Sequence, residues 1–85
     1  MRNSEKTLEL LRQGKSAISF RDLQRLLTAL GFQLDRIAGS HHLYVHDKVP
    51  RPLNIQPDRK GTKSYQLRQL RAMILEFDLS VEKRK

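Results

Sequence analysis

The spacing of apolar and polar positions predicts helices at both ends of the chain and strands between them. From Ser4 to Gln13, Leu8 and Leu11 lie one turn apart among charged neighbours, with Ser4 placed as N-cap and Gly14 as the stop. That is a short helix covering one edge of a core. A stronger signal follows at Ser19-Phe20-Arg21-Asp22, a capping-box pattern preceded by the apolar Ile18. Phe20, Leu23, Leu26, Leu27 and Leu30 then recur at intervals of three and four until Gly31, the pattern of a helix with one apolar stripe. Alternation takes over at Phe32, where a first strand is expected to Ala38 with Phe32, Leu34, Arg36 and Ala38 sharing a face. Gly39-Ser40 reads as a tight reversal and His41 to Asp47 as a second strand. Pro50 and Pro52 bracket Arg51, so Asp47 to Pro52 is expected to be a loop, and Leu53 to Gln56 a third strand stopped by Pro57. After a polar loop from Asp58 to Lys63, Ser64 is placed as N-cap of a last helix with an apolar stripe of Leu67, Leu70, Ile74 and Phe77.

Three strands in series with short connections make an antiparallel meander, and the full order is helix, helix, strand, strand, strand, helix. The predicted fold class is α+β: a three-stranded antiparallel sheet with two helices on one face, plus a short extra N-terminal helix. The other sheet face is left open to a partner or to chemistry. With 85 residues and no internal repeat, the chain is read as one domain, in which 1–18 are the N-terminal helix and linker, 19–79 the core and 80–85 a charged tail.

Composition narrows the classes of function. The absence of cysteine excludes disulfides and thiolate metal sites, so any zinc would need His and carboxylate ligands alone. No apolar run approaches the ~18 residues needed to span a bilayer, and the polar N-terminus lacks a signal-peptide core, so a cytoplasmic protein is expected. The formal charge of +8 points to a polyanionic partner, either nucleic acid or an acidic protein.

That charge is uneven. Arg59, Lys60, Lys63, Arg68 and Arg71 follow one another with no acidic residue between them, in the loop before the last helix and in its first turns. Free backbone N–H groups and the helix dipole favour an anion at the same place, although such residues also serve as the solvated side of an amphipathic helix. Tyr65 lies within this run. The second chemical feature is the pair His41-His42 after the turn. Histidine takes and gives a proton near neutral pH, which suits cleavage of RNA, whose 2′-hydroxyl is a built-in nucleophile. Adjacent strand residues diverge, and His42 and His46 are separated by roughly 13 Å on one face, so no shared metal ion is expected. Counting alternate positions puts His41 with Leu43 and Val45 on the side expected to face the core. His42 falls with Tyr44 and His46, where Tyr44 becomes a surface aromatic that either packs across the sheet or stacks on a base.

Phe20-Arg21-Asp22-Leu23, Leu30-Gly31-Phe32 and Gly39-Ser40-His41-His42-Leu43-Tyr44, in that order and spacing, resemble the HicA (YcfA-like) mRNA interferase toxins of type II toxin-antitoxin systems. The resemblance implies a fold like the double-stranded-RNA-binding domain, with mRNA as substrate and a HicB-type antitoxin as the inhibitory partner. No cofactor, metal or membrane is expected. The resemblance also implies that His41, the histidine of the Gly-Ser-His motif, is catalytic, with His42 the second choice. Lys60, Lys63, Tyr65, Arg68, Arg71 and Tyr44 are the candidate RNA-binding residues. Many members carry a second histidine after the third strand, whereas this chain has Ile55-Gln56-Pro57 and Lys63-Ser64-Tyr65-Gln66, similar to a subgroup with a Gln-Pro and Lys-x-Tyr-Gln pattern. The rival readings are a non-catalytic RNA-binding module of the same fold, and a subunit whose basic surface serves only to meet an acidic antitoxin.

Overall fold

A computed structural model of the protein describes residues 3–15, 18–58 and 61–81. The N-terminal helix α1 spans Ser4–Arg12 and buries Leu8 and Leu11, as the stripe requires, but its cap is Asn3 and not Ser4. The Asn3 carboxamide oxygen accepts the Lys6 N–H at 2.9 Å, and Ser4 becomes the first helical residue. Helix α2, Phe20–Ala29, starts where the capping pattern placed it, the Ser19 hydroxyl accepting the Asp22 N–H at 3.0 Å. Ile18 and Leu23 stand at the positions of a hydrophobic staple and are both fully buried.

Strands β1 (Gln33–Ala38), β2 (His41–His46) and β3 (Val49–Ile55) form an antiparallel meander in the order β1-β2-β3. Gly39 has a φ of 61° and Ser40 is not among the residues with positive φ, the pattern of a two-residue type II′ hairpin turn closed by the Ala38–His41 pair. β1 departs from regular alternation. A bulge at Asp35 shifts the register, so Leu34 pairs with Tyr44, Ile37 with His42 and Arg36 with Leu43. Leu34 and Ile37 therefore share the helix-side face, while Arg36 and Ala38 lie on the other. β3 begins four residues earlier than proline content suggested. Pro50 and Pro52 are tolerated because residues 50–52 have no partner in β2, so their missing N–H groups remove no ladder bond.

The polar loop after β3 contains a two-residue hairpin, β4 (Pro57–Asp58) with β5 (Gly61–Thr62). Residues 59 and 60 lie outside the described residues. Helix α3, Ser64–Glu76, is capped at Lys63 without a side-chain hydrogen bond, so Ser64 is its first residue and not its cap. Its stripe is Leu67, Leu70 and Ile74, with Met73 and the amide of Gln66 buried beside them. At its far end Arg51 of β3 pairs with Glu76 at 3.2 Å and lies over the Phe77 ring. α2 and α3 cover one face of the sheet: Phe20 and Gln24 of α2 meet His42 and Tyr44, and Gln66 of α3 meets Gln56, the residue just after β3. Among the described residues no helix covers the other face, which carries Arg36, His41, Leu43, Val45 and Asn54.

Candidate functional site

The parity expected for β2 is reversed. Tyr44 is only 4% exposed, and its hydroxyl accepts a hydrogen bond from the Gln24 amide at 3.3 Å. His42 is half-buried, its ring edge-on to Phe20 with centroids 4.9 Å apart and its Nδ1 donating to the Ser40 carbonyl at 3.1 Å. His46 is held between the Leu30 carbonyl at Nε2 (2.8 Å) and the Lys48 N–H at Nδ1 (3.0 Å). These three face the helices, and His41, Leu43 and Val45 face the open side. Tyr44 is thus part of the core and not a surface platform for a base. The reason is tertiary: a period of two fixes which residues share a face, and the helices then choose the face with the larger apolar payload, here Tyr44 backed by Leu53 and Ile55.

The same reversal exposes His41. It stands first in β2, beside the hairpin turn, with Nδ1 3.2 Å from the Asn54 amide oxygen and Nε2 3.2 Å from the Gln56 amide nitrogen. The Gln56 amide nitrogen also reaches the Ser40 hydroxyl at 3.4 Å. On its other side Gln56 is gripped by Gln66, in the first turn of α3 and 1% exposed. Gln66 accepts the Gln56 backbone N–H at 2.7 Å and donates its own amide to the Gln56 side-chain oxygen at 3.1 Å. The Tyr65 hydroxyl lies 3.4 Å from that donating amide, and the Tyr65 ring is 53% exposed. The exposed aromatic at this site is therefore Tyr65.

The basic run divides. On a helix of about 100° per residue, Arg68 and Arg71 point roughly 160° and 140° away from Gln66. They line a cavity of about 300 Å³ with Ser64 and Leu67 of α3 and with Leu11, Gly14 and Lys15 at the end of α1. The fold brings Gln66 and Tyr65 to the side of His41, and Arg68 and Arg71 to the side of α1, while Lys63 is the cap residue just before the first turn of α3. Lys60 lies outside the described residues. Arg21, exposed in the first turn of α2, lines a shallow pocket with Gln24, Arg25, Thr28 and Tyr44. Among the described residues, no three His, Asp or Glu side chains gather closely enough to hold a metal ion, and no helix is long and apolar enough to cross a membrane.

Asn54, Gln56 and Gln66 belong to the site although none of the candidate positions in the sequence includes them. A signal was present for the last: Gln66 stands one turn before Leu70 and in step with Met73 and Phe77, a polar residue on the buried stripe of α3.

A three-stranded antiparallel sheet covered on one face by two helices is the architecture of the double-stranded-RNA-binding domain, here with α1 added in front and a histidine at the head of the central strand. A family model described as the HicA toxin of bacterial toxin-antitoxin matches residues 20–75, well over half of the chain. The chain belongs to the HicA toxin family, and so is a toxin of a toxin-antitoxin system with an antitoxin as partner. The match begins at Phe20, so α1 and the α1 side of the Arg68–Arg71 cavity lie outside it. No curated protein and no solved structure matches the chain.

Proposed function

We propose that the chain is a cytoplasmic ribonuclease toxin that cuts mRNA and is inhibited by a HicB-type antitoxin covering the same face. The observation that carries this reading is the position of His41: exposed on the open sheet face, at a hairpin, with an exposed aromatic and the head of α3 beside it. As general base, His41 accepts the proton of a 2′-hydroxyl while that oxygen bonds to the adjacent phosphorus. The bond from phosphorus to the 5′-oxygen breaks, and the leaving oxygen takes a proton from water. The products are a 2′,3′-cyclic phosphate and a free 5′-hydroxyl. Lys63 and the N–H groups of the uncapped first turn of α3 favour negative charge on the phosphate, and Tyr65 supplies a ring face for a base. Arg68 and Arg71, facing α1, hold phosphates further along the strand.

The test is incubation of the purified chain with RNA in the presence of a chelator, beside the His41→Ala variant and an oligonucleotide lacking the target 2′-hydroxyls. Cutting of RNA by the wild type alone, and of no deoxy substrate, supports the mechanism. Cutting by His41→Ala refutes the assignment, and binding without turnover by the wild type favours an RNA-binding module.

A further inference from the structure

We infer that Gln66 and Gln56 are positioning residues that set the tautomer of His41, leaving Nε2 bare and placing the proton on Nδ1. The polarity of the relay is fixed at the backbone. The Gln56 N–H can only donate, so the Gln66 side-chain atom 2.7 Å from it is the oxygen, and the Gln66 NH2 group points the other way. That NH2 lies 3.1 Å from the Gln56 side chain, which must present its oxygen there. The Gln56 NH2 is thereby turned toward His41, 3.2 Å from Nε2. Facing a donor, Nε2 accepts. A neutral imidazole carries one proton, so Nδ1 bears it and donates to the Asn54 oxygen at 3.2 Å. Every link follows from the one before, and the first is a main-chain group.

Burial gives the relay its stiffness. Gln66 is 1% exposed and spends both ends of its amide on Gln56, with the Tyr65 hydroxyl near the second amide proton. Turning it over would set two donors against each other in the interior, where a lost hydrogen bond is not replaced by water. Free histidine in water prefers the opposite tautomer, with the proton on Nε2. The relay thus holds the imidazole in its less common form, with the lone pair on the nitrogen that Asn54 does not occupy. Resting on the ribonuclease reading, the consequence is that Nε2 is the basic atom: the substrate hydroxyl takes the place of the Gln56 NH2 there, and Gln66 acts through Gln56 without touching RNA.

The experiment reads the tautomer directly, by long-range proton–nitrogen correlation of the histidine rings in the free chain, the His41 signals assigned by their loss in His41→Ala. A protonated Nδ1 and a bare Nε2 are expected for the wild type. In Gln56→Glu, at a half-exposed position, the introduced carboxylate faces Nε2 with an acceptor while the Asn54 oxygen still faces Nδ1, so Nε2 is expected to gain a proton as well. In Gln66→Met the His41 tautomers are expected to mix, and a base in the right form about a fifth of the time cuts about fivefold more slowly, with KM little changed. A wild-type His41 protonated on Nε2, or an Nε2 still without a proton in Gln56→Glu, overturns the relay. The expected tautomers together with RNA cleavage by His41→Ala would leave the relay standing and remove the ribonuclease assignment.

Discussion

The two neighbouring histidines should respond to alanine in opposite ways, because β2 sends them to opposite faces. His42→Ala removes a ring packed edge-on to Phe20 at 4.9 Å and a hydrogen bond to the Ser40 carbonyl at 3.1 Å. An aromatic pair of this geometry contributes about 0.5–1.5 kcal/mol, and a net hydrogen bond at a half-buried site about as much again. A total loss of about 1–3 kcal/mol lowers Tm by roughly 4–24 °C in a domain of this size. His41→Ala removes an exposed ring that contacts only the exposed ends of side chains, so its effect stays within about 0.5 kcal/mol. Cleavage inverts the order. Loss of a general base slows the reaction by about 10²–10⁴-fold, whereas His42→Ala, assayed well below its Tm, should keep most of the wild-type rate. Thermal melts followed by circular dichroism give the first comparison, and single-turnover cleavage of a labelled RNA the second. A His42→Ala protein that melts normally but fails to cut, beside a His41→Ala protein that cuts, would place the base on the other ring and refute the reasoning from strand parity.

Other outcomes are equally specific. Gly61→Ala should be severely destabilising by urea titration, since a methyl there would collide with the Ile18 carbonyl oxygen at a φ of 124°; Gly39→Ala, at a φ of 61° with nothing within 4 Å, should cost only about 1–2 kcal/mol. Tyr44→Phe should lose about 0.5–1.5 kcal/mol of stability with its bond to Gln24 and leave RNA affinity unchanged. Tyr65→Ala should leave stability nearly intact and weaken single-stranded RNA binding by about 1–3 kcal/mol, read by fluorescence anisotropy. Replacing Arg68 and Arg71 together by Ala should reduce the slope of log affinity against log salt by about 0.7 per lost phosphate contact. The rate at saturating RNA should be unaffected, because those side chains face α1.

The sequence by itself determined the order of elements, the stripe of α2, the capping of α2 by Ser19 and the hairpin at Gly39-Ser40, all of which depend on contacts within a few residues. The motif around His41 was legible for the same reason, being contiguous and held on one turn. Three things were decided only by the folded chain. A strand's period of two says which side chains travel together and nothing about which set is covered, so the exposure of His41 and the burial of Tyr44 waited on where α2 and α3 settled. A bulge at Asp35 and the unpaired stretch 50–52 reset faces and strand ends, because register is a property of two strands and not of one. Finally, Gln56 and Gln66, ten positions apart, meet only when β3 and α3 pack, and Arg68 and Arg71 turn away from His41 by the same packing; a helix rotates its residues in sequence, but only its neighbours decide which of them a site can use.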